Sequence, residues 1–510
     1  MSNRFEFGDV NLRAGDEGGV ARPQSESPLC IAILGDYSGR ANGGVFEPEN
    51  IRERRPRLVD RDNFDEVLAK LQPELRLPTE SKVPLRFRFS EIEDFHPDRL
   101  YQNEAFQKLK RLRERLQDPS SFLETAGQLG VVAAPATTPA GDNVRVAAPS
   151  PVRLASDSLL DEMIEQTESR ILLQPSRRTD EVQEFARQLA AKYAVRAPDP
   201  RQSEMVAAVD RAMGDTMRAI LHHPDFQALE AIWRATFLLV RQIETGPQLK
   251  IYLIDVSKQE LAADLRTSDE LRNSAVFRLL VEKTVETLGA DPFTIVLGAF
   301  PFGSGNEDMP LLRKLAQIVH RSGAVLLAEA DPMLVGCSSL EATPSPREWK
   351  PSELDSSWSQ FRSLPECASV GLALPRFLLR LPYGRETSPL DCFDFEEFCG
   401  LPVHREYLWG NPAFFVALMI GQSFNDAGWE MRPGSPSQLE NLPLHTYRID
   451  SGEFQSKPCA EVLLTEEAVE RMLDRGLNPL IAYKGRDAVR VGRFQSVAEP
   501  PCPLRGRWQV

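Results

Sequence analysis

Cysteine is scarce in this chain: seven among 510 residues, an odd count, with no C-x-x-C pair. So thin a set cannot staple a secreted disulfide scaffold and fits free thiols in a reducing compartment. Long apolar runs are missing too. The strongest, Ala413 to Gly421, falls far short of the roughly 20 residues that cross a bilayer. The opening residues, MSNRFEFGDVNLRAGDEGG, hold no apolar core of a secretory signal. These absences predict a cytoplasmic protein without membrane insertion. Positive charge is in the minority, 60 Lys and Arg against 74 Asp and Glu, for a formal net charge of −14. Such a chain repels phosphate backbones, so a dedicated nucleic-acid binder is not expected. No G-x-x-x-x-G-K-[ST] phosphate cradle and no G-x-S-x-G elbow is present. Gly303-Ser304-Gly305 follows a strand-like run but lacks the downstream glycine of a dinucleotide loop and reads as a turn.

What is there is a long, proline-rich chain (39 Pro) with enough apolar residues (42%) for several cores. Residues 1–27 read as a mobile arm. Residues 28–126 read as a small α+β unit. In it the apolar run Pro28–Leu34 stops at the turn Gly35-Asp36-Tyr37-Ser38-Gly39. Asp62 is placed to cap a helix carrying Phe64, Val67, Leu68 and Leu71, and Val83–Phe89 alternates as a half-buried strand. His96-Pro97-Asp98 opens a helix carrying Phe106, Leu109, Leu112 and Leu116. Residues 127–155, rich in Ala, Pro, Thr and Gly, read as a flexible linker. A short amphipathic element and polar connector follow at 156–180, then a helical region at 181–247 that breaks at His222-His223-Pro224. From 248 to 510 strand-like and helical runs alternate. Strands are expected near Leu249–Ile254, Phe293–Leu297, Ala324–Ala328, Gly371–Leu374, Leu444–Ile449, Glu461–Leu464 and Pro479–Tyr483. Asn411-Pro412 starts the helix Ala413–Phe424. The predicted fold class is α/β: a small α+β module, joined by a flexible linker to a helical region and a mixed, largely parallel core.

Candidate chemistry is thin. Neighbouring His222 and His223 diverge by about 100° on a helix and cannot share a metal; a helix C-terminal role beside the dipole is the simpler reading. Cys392 and Cys399 among Asp391, Asp394, Glu396 and Glu397 match no zinc spacing and read as a solvated acidic loop. The basic run Lys108–Arg115 reads as a helix with its leucines inward, or as a surface that docks on an acidic part of the protein. The face Leu159, Leu160, Met163 and Ile164 has no obvious neighbour and suits a groove-binding element. No catalytic, cofactor-binding or metal-ligating residue is assigned, and no enzyme activity is expected.

Several long motifs, in order, resemble a known family. Pro28–Gly39, Asp60–Leu71 and Ile92–Asp98 are similar to the small sheath subunit of the type VI secretion system (TssB/VipA). His222–Trp233, Leu249–Lys258, Gly371–Gly384, Phe393–Glu397, Trp409–Asn411, Tyr483–Gly485 and Gln495-Ser496 resemble the large subunit (TssC/VipB). The chain therefore resembles a natural fusion of the two, with its end at Val510 short of the family's strand-exchanging C-terminal section. The segment Gly298–Phe302 also departs from the acidic G-D-Y-x-F pattern of the family. The resemblance implies a protomer that self-assembles in rings or helices around an inner tube protein, seated on baseplate components. It implies no cofactor. Energy would enter through a separate AAA+ unfoldase of the ClpV type, for which Leu159, Leu160, Met163 and Ile164 would be the recognition face. A non-polymerising accessory component is the alternative expectation, and a soluble enzyme on a borrowed fold a remote one.

Overall fold

The computed structural model describes residues 4–7, 10–13, 27–78, 84–129, 199–267, 270–350 and 355–508. The expected linker from residue 130 onward, the amphipathic face Leu159, Leu160, Met163 and Ile164, and the first part of the helical region lie outside them. The chain forms two compact units, Met1–Gln107 with Ala212–Val510, and Lys108–Arg211.

The first unit is built on a nine-stranded sheet. Its strands are β1 (Leu29–Gly35), β2 (Arg57–Val59), β3 (Leu249–Asp255), β4 (Ile295–Phe302), β5 (Val325–Ala330), β6 (Val370–Leu374), β7 (Gln438–Leu439), β8 (Leu477–Ala482) and β9 (Val489–Val491). They lie side by side in the order β7-β9-β8-β6-β5-β4-β1-β3-β2. The six central strands, β8 through β3, pair in parallel, and the margins are antiparallel. This is the mixed, largely parallel α/β core expected from the alternation of strand-like and helical runs.

Strand β1 joins the small amino-terminal module to this core. It lies between β3 and β4, with Leu29 opposite Leu249 and Ile31 opposite Ile295. From Leu29 to Ile33 its residues are 0% exposed. The physical reason is its composition. LCIAILG is apolar on both faces, so it needs a strand on each edge and a layer over each face. The hairpin Glu74–Leu77 with Leu85–Arg88, the rest of the amino-terminal β-structure after residue 27 among the described residues apart from β2, cannot supply that.

The longer helices among the described residues are α1 (Phe64–Leu71), α2 (Glu104–Gln117), α3 (Pro200–Leu221), α4 (Pro224–Gln242), α5 (Lys258–Thr267), α6 (Asp308–Ser322), α7 (Asp355–Arg362), α8 (Pro412–Ala427) and α9 (Glu466–Asp474). Alternate residues of β1 serve two layers. Cys30, Ala32 and Leu34 join a core with Leu311, Leu315, Ile318 and Val319 of α6. On the other face a Cβ at Gly35 would lie 2.3 Å from Ile232 of α4, so glycine lets that helix approach. Helix α8 belongs to the α4 layer, packing on α4, β4, β5 and β6. It is buried continuously from Pro412 to Gly421, which explains the longest apolar stretch as a central helix. Asn411 caps it as expected, its Oδ1 accepting the Ala413 amide at 2.9 Å.

Several local expectations are corrected. Helix α1 starts after Asn63, not on an Asp62 cap; Asp60 takes the Asp62 and Asn63 amides in the preceding turn. The helix opened by His96 stops at Leu100, and α2 begins at Glu104, because Asn103 Oδ1 captures the Ala105 amide at 3.0 Å. His223 caps the start of α4 instead of closing α3, its Nδ1 accepting the Asp225 amide at 3.3 Å. Glu461–Leu464 is not a strand; Ala460 makes only an isolated bridge to Phe377, and Glu461 turns its carboxylate to Arg376.

In the second unit Leu116, Phe122 and Val209 are buried. Arg113 pairs with Asp210 at 2.6 Å, and Gln202 Nε2 donates to the carbonyls of Leu116 and Gln117. The basic run thus has an acidic partner within its own unit; of the leucines of α2, Leu116 is buried and Leu109 and Leu112 are half-buried.

Truncating the middle of β1 should be costly. Ile31→Ala is expected to lower stability by about 2–5 kcal/mol, read by chemical denaturation of the full chain. Leu58→Ala on the exposed side of edge strand β2 should change it by less than about 0.5 kcal/mol.

Candidate functional site: the interlock of amino- and carboxy-terminal segments

The turn after β1 is where the two segments grip each other. Tyr37 is fully buried. Its hydroxyl lies 2.8 Å from Thr236 Oγ1, and its carbonyl accepts the Trp233 indole N–H at 2.9 Å. The two rings meet edge to face at 4.9 Å. The amides of Tyr37 and Ser38 and the Ser38 hydroxyl all donate to the carboxylate of Asp255, at the end of β3. Gly39 has φ +75°, and a Cβ there would stand 2.4 Å from the Glu74 carbonyl, so the turn requires glycine.

Beyond the turn lies a buried carboxylate, Glu260 on α5. Arg40 and Arg54 from the amino-terminal segment both reach it, at 3.1 and 2.6 Å. The amides of Glu47 and Ser257 donate to it as well. Burial alone would raise this carboxyl. The hydrogen bonds from Arg54, the two amides and Arg40 outweigh it and hold the group down at about 2.

A second cluster sits on α4. Arg380 forks onto Glu397, at 2.8 and 3.1 Å, and reaches Glu230 at 3.0 Å. Arg234 shares Glu230 at 2.6 Å and donates to the Tyr383 hydroxyl at 3.1 Å. The Arg380 guanidinium also lies over the Tyr383 ring, 4.3 Å from its centroid, and His96 of the amino-terminal segment meets that ring edge-on. His222 Nε2 is 3.4 Å from Glu397, within ion-pair range but without hydrogen-bond geometry. Burial pushes the Glu397 carboxyl up; Arg380, His222 and the Tyr383 amide bring it down to about 2. Nearby, Asp98 accepts the amides of Asp391 and Cys392. The acidic stretch is therefore only partly solvated: Glu397 is buried, whereas Asp394 is exposed and pairs with Arg385.

A third cluster closes the carboxyl end of β5 and β6. Arg376 binds Glu461 at 2.5 Å and lies 4.0 Å from Glu329, and His404 Nε2 is 3.4 Å from Glu461. Glu461 is pushed up by burial and pulled down to about 2 by His404 and Arg376. Glu329 goes the other way. Burial raises it to about 7, with Glu461 and Asp331 adding to the rise against Arg376 and Lys258.

These clusters hold distant segments of the chain together. Each carboxylate at their centres already faces a guanidinium, and burial pushes the thiols of Cys30, Cys367 and Cys392 up to about 12, away from nucleophilic use. No group of three or more His, Cys, Asp or Glu suited to a metal ion occurs among the described residues. Of the residues weighed from the sequence, His222 and Glu397 are brought together, His223 is a cap, and Cys392 meets Asp98. Sequence reasoning did not single out Arg40, Arg54, Glu230 and Glu260. Each sits near a turn or on a helix among many other surface-type charges, and only the fold shows that it is buried.

The pH dependence follows from the signs. Glu260, Glu397 and Glu461 lie below their ordinary 4.5 when folded, so their stabilisation is complete above pH 4.5 and is lost as pH falls toward 2. Glu329 lies above it, so the folded state holds that proton more tightly and stability falls as pH rises from 4.5 through 7. Glu329→Gln is expected to remove the latter loss, raising stability on the order of 1–3 kcal/mol at about pH 8 with little change at about pH 5. Thermal unfolding across that range checks it.

Comparison with known proteins bears on this arrangement. The family described as "EvpB/VC_A0108, tail sheath N-terminal domain" (VipB) matches residues 203–498. The family described as "Type VI secretion system, VipA, VC_A0107 or Hcp2" matches residues 10–130. The type VI secretion system sheath protein TssC1 of Pseudomonas aeruginosa is 32% identical over 307 residues, which cover 58% of this chain and 61% of that protein. The two matched segments are the two that share the central sheet. With a VipA-type segment ahead of a tail-sheath domain that fills more than half its length, the chain belongs to the VipB tail-sheath family of type VI secretion.

Proposed function

We propose that the chain is a structural protomer of a type VI secretion contractile sheath, with the small- and large-subunit parts joined covalently and folded as one block. The observation that carries this reading is β1, a strand from the VipA-type segment buried in the middle of the VipB-type sheet. A block so interlocked transmits force between its parts without sliding. Its task is a change of packing between copies, not bond-making, so neither nucleotide nor cofactor is required of the chain itself. Its partners in this reading are further copies of itself, an inner tube protein and baseplate components, in the bacterial cytoplasm. Negative-stain electron microscopy of the purified chain, alone and with tube protein, should show tubules with a helical lattice. Dispersed particles under all conditions would sink the sheath reading and favour an accessory role.

The segment Ser158–Gln166 is the proposed contact for an AAA+ unfoldase of the ClpV type. Its support is the resemblance and the sequence spacing of Leu159, Leu160, Met163 and Ile164, which suits one face of a helix. Replacing Leu160 and Ile164 by Ser should abolish co-purification with such an unfoldase; retention at the wild-type level would refute the assignment.

A further inference from the structure

Helix α6 covers one face of the sheet with its apolar side and turns the other side outward. That outer side is flanked by clefts. One, of about 420 Å³, runs between α6 and α5 and is lined by Phe46, Arg266 and Lys314. Another, of about 600 Å³, separates α6 from α7 and is lined by Arg313, Lys314 and Gln317. A third, of about 550 Å³, lies at the end of α6 and holds Gln317, His320 and Arg321. Shared lining residues make the three one continuous trough, about 22 Å long for a 15-residue helix. Phe46, 54% exposed, stands at its rim.

The charges in this trough are out of keeping with the chain. Five cationic side chains line it against the three carboxylates Glu270, Glu307 and Glu366, in a protein of net charge −14. Lys314 donates to the Leu265 carbonyl. Arg266, Arg313 and Arg321 are exposed and have no hydrogen-bond or ion-pair partner among the described residues. The opposite imbalance occurs on the loop Arg385–Glu396, which carries four carboxylates and a single Arg385, itself paired with Asp394. Glu386, Asp391 and Glu396 are exposed there. The loop is tied to the α4 layer through Glu397, Arg380 and Glu230, the face of the sheet opposite α6. The two patches therefore cannot meet within one chain.

We propose that the α6 trough is a docking surface for a second copy of this chain, which presents its Arg385–Glu396 loop. The basic trough and the acidic loop lie on opposite faces of the sheet, so one copy cannot offer both to the same neighbour; the contact is heterologous, and repetition of it gives rings or an open helical array. The inference deepens the sheath reading and rests on it for the meeting of copies. Its charges are exposed, so salt screens them.

Sedimentation of the full chain at about 50 mM and about 500 mM salt tests it. Wild type should self-associate at low salt and dissociate at high salt. Arg266→Glu with Arg313→Glu and Arg321→Glu should weaken association about tenfold or more with an unchanged melting temperature. Adding Glu386→Lys and Glu396→Lys should restore it. The milder Arg→Gln triple variant should give an intermediate loss. A wild type that stays monomeric at low salt, reversed charges without effect, or failure of the compensating pair each overturns the contact, as does a trough that takes an acidic tube or baseplate protein while copies ignore one another. Microscopy of the same samples separates the two ideas. Salt-sensitive association without tubules sinks the sheath reading alone, and tubules indifferent to the arginines sink the contact alone.

Discussion

The structure depends on a single seven-residue strand. Leu29–Gly35 is apolar on both faces and hydrogen-bonded on both edges, and both neighbours lie more than 200 residues away in the chain. Fully burying a Leu or Ile side chain contributes about 1.5–3 kcal/mol, and this strand has several. Without it, β3 and β4 would each expose an unpaired edge in the middle of a parallel sheet, where water has no access. The amino-terminal segment is therefore part of the core, and the carboxy-terminal segment closes around it.

The charged clusters make sense as the rim of this insertion. Removing a buried carboxylate from water is costly unless charged hydrogen bonds replace the lost hydration. Glu260 receives them from Arg40 and Arg54, which come from the other side of the chain. Either segment alone would leave a buried charge or a set of turn amides unmatched, as at Asp255 under Tyr37 and Ser38. Such pairs act through the penalty of mismatch more than through net attraction, so they select one register of the inserted strand over its neighbours. Glu329 is the exception. Burial raises its proton affinity, and Arg376, which it shares with the better-placed Glu461, does not offset the rise.

The element types were largely legible, because they follow from local pattern. The run at Pro28–Leu34, the helix after Asn411-Pro412 and the break at His222-His223-Pro224 all appear where periodicity and capping put them. The errors are local competitions between side chain and backbone. Asn103 captures an amide and divides one expected helix in two. Glu461 has the composition of a strand start but is held at the sheet end by Arg376. The site was less legible. Trp233, Tyr37 and Arg380 fall within motifs that carry the family resemblance, yet nothing in their spacing shows that they touch.

Composition, periodicity and motif order by themselves determined that this is an α/β chain of two sheath-like segments, with no recognisable phosphate loop or nucleophile elbow. These are properties of short windows, and short windows are enough to set helix, strand and turn. The tertiary structure alone decided that β1 enters the middle of the sheet, that Glu260 and Glu397 are buried while Asp394 stays in water, and that α6 turns its arginines outward. Those outcomes depend on contacts between residues hundreds of positions apart, and a local pattern carries no record of which distant surface will cover it.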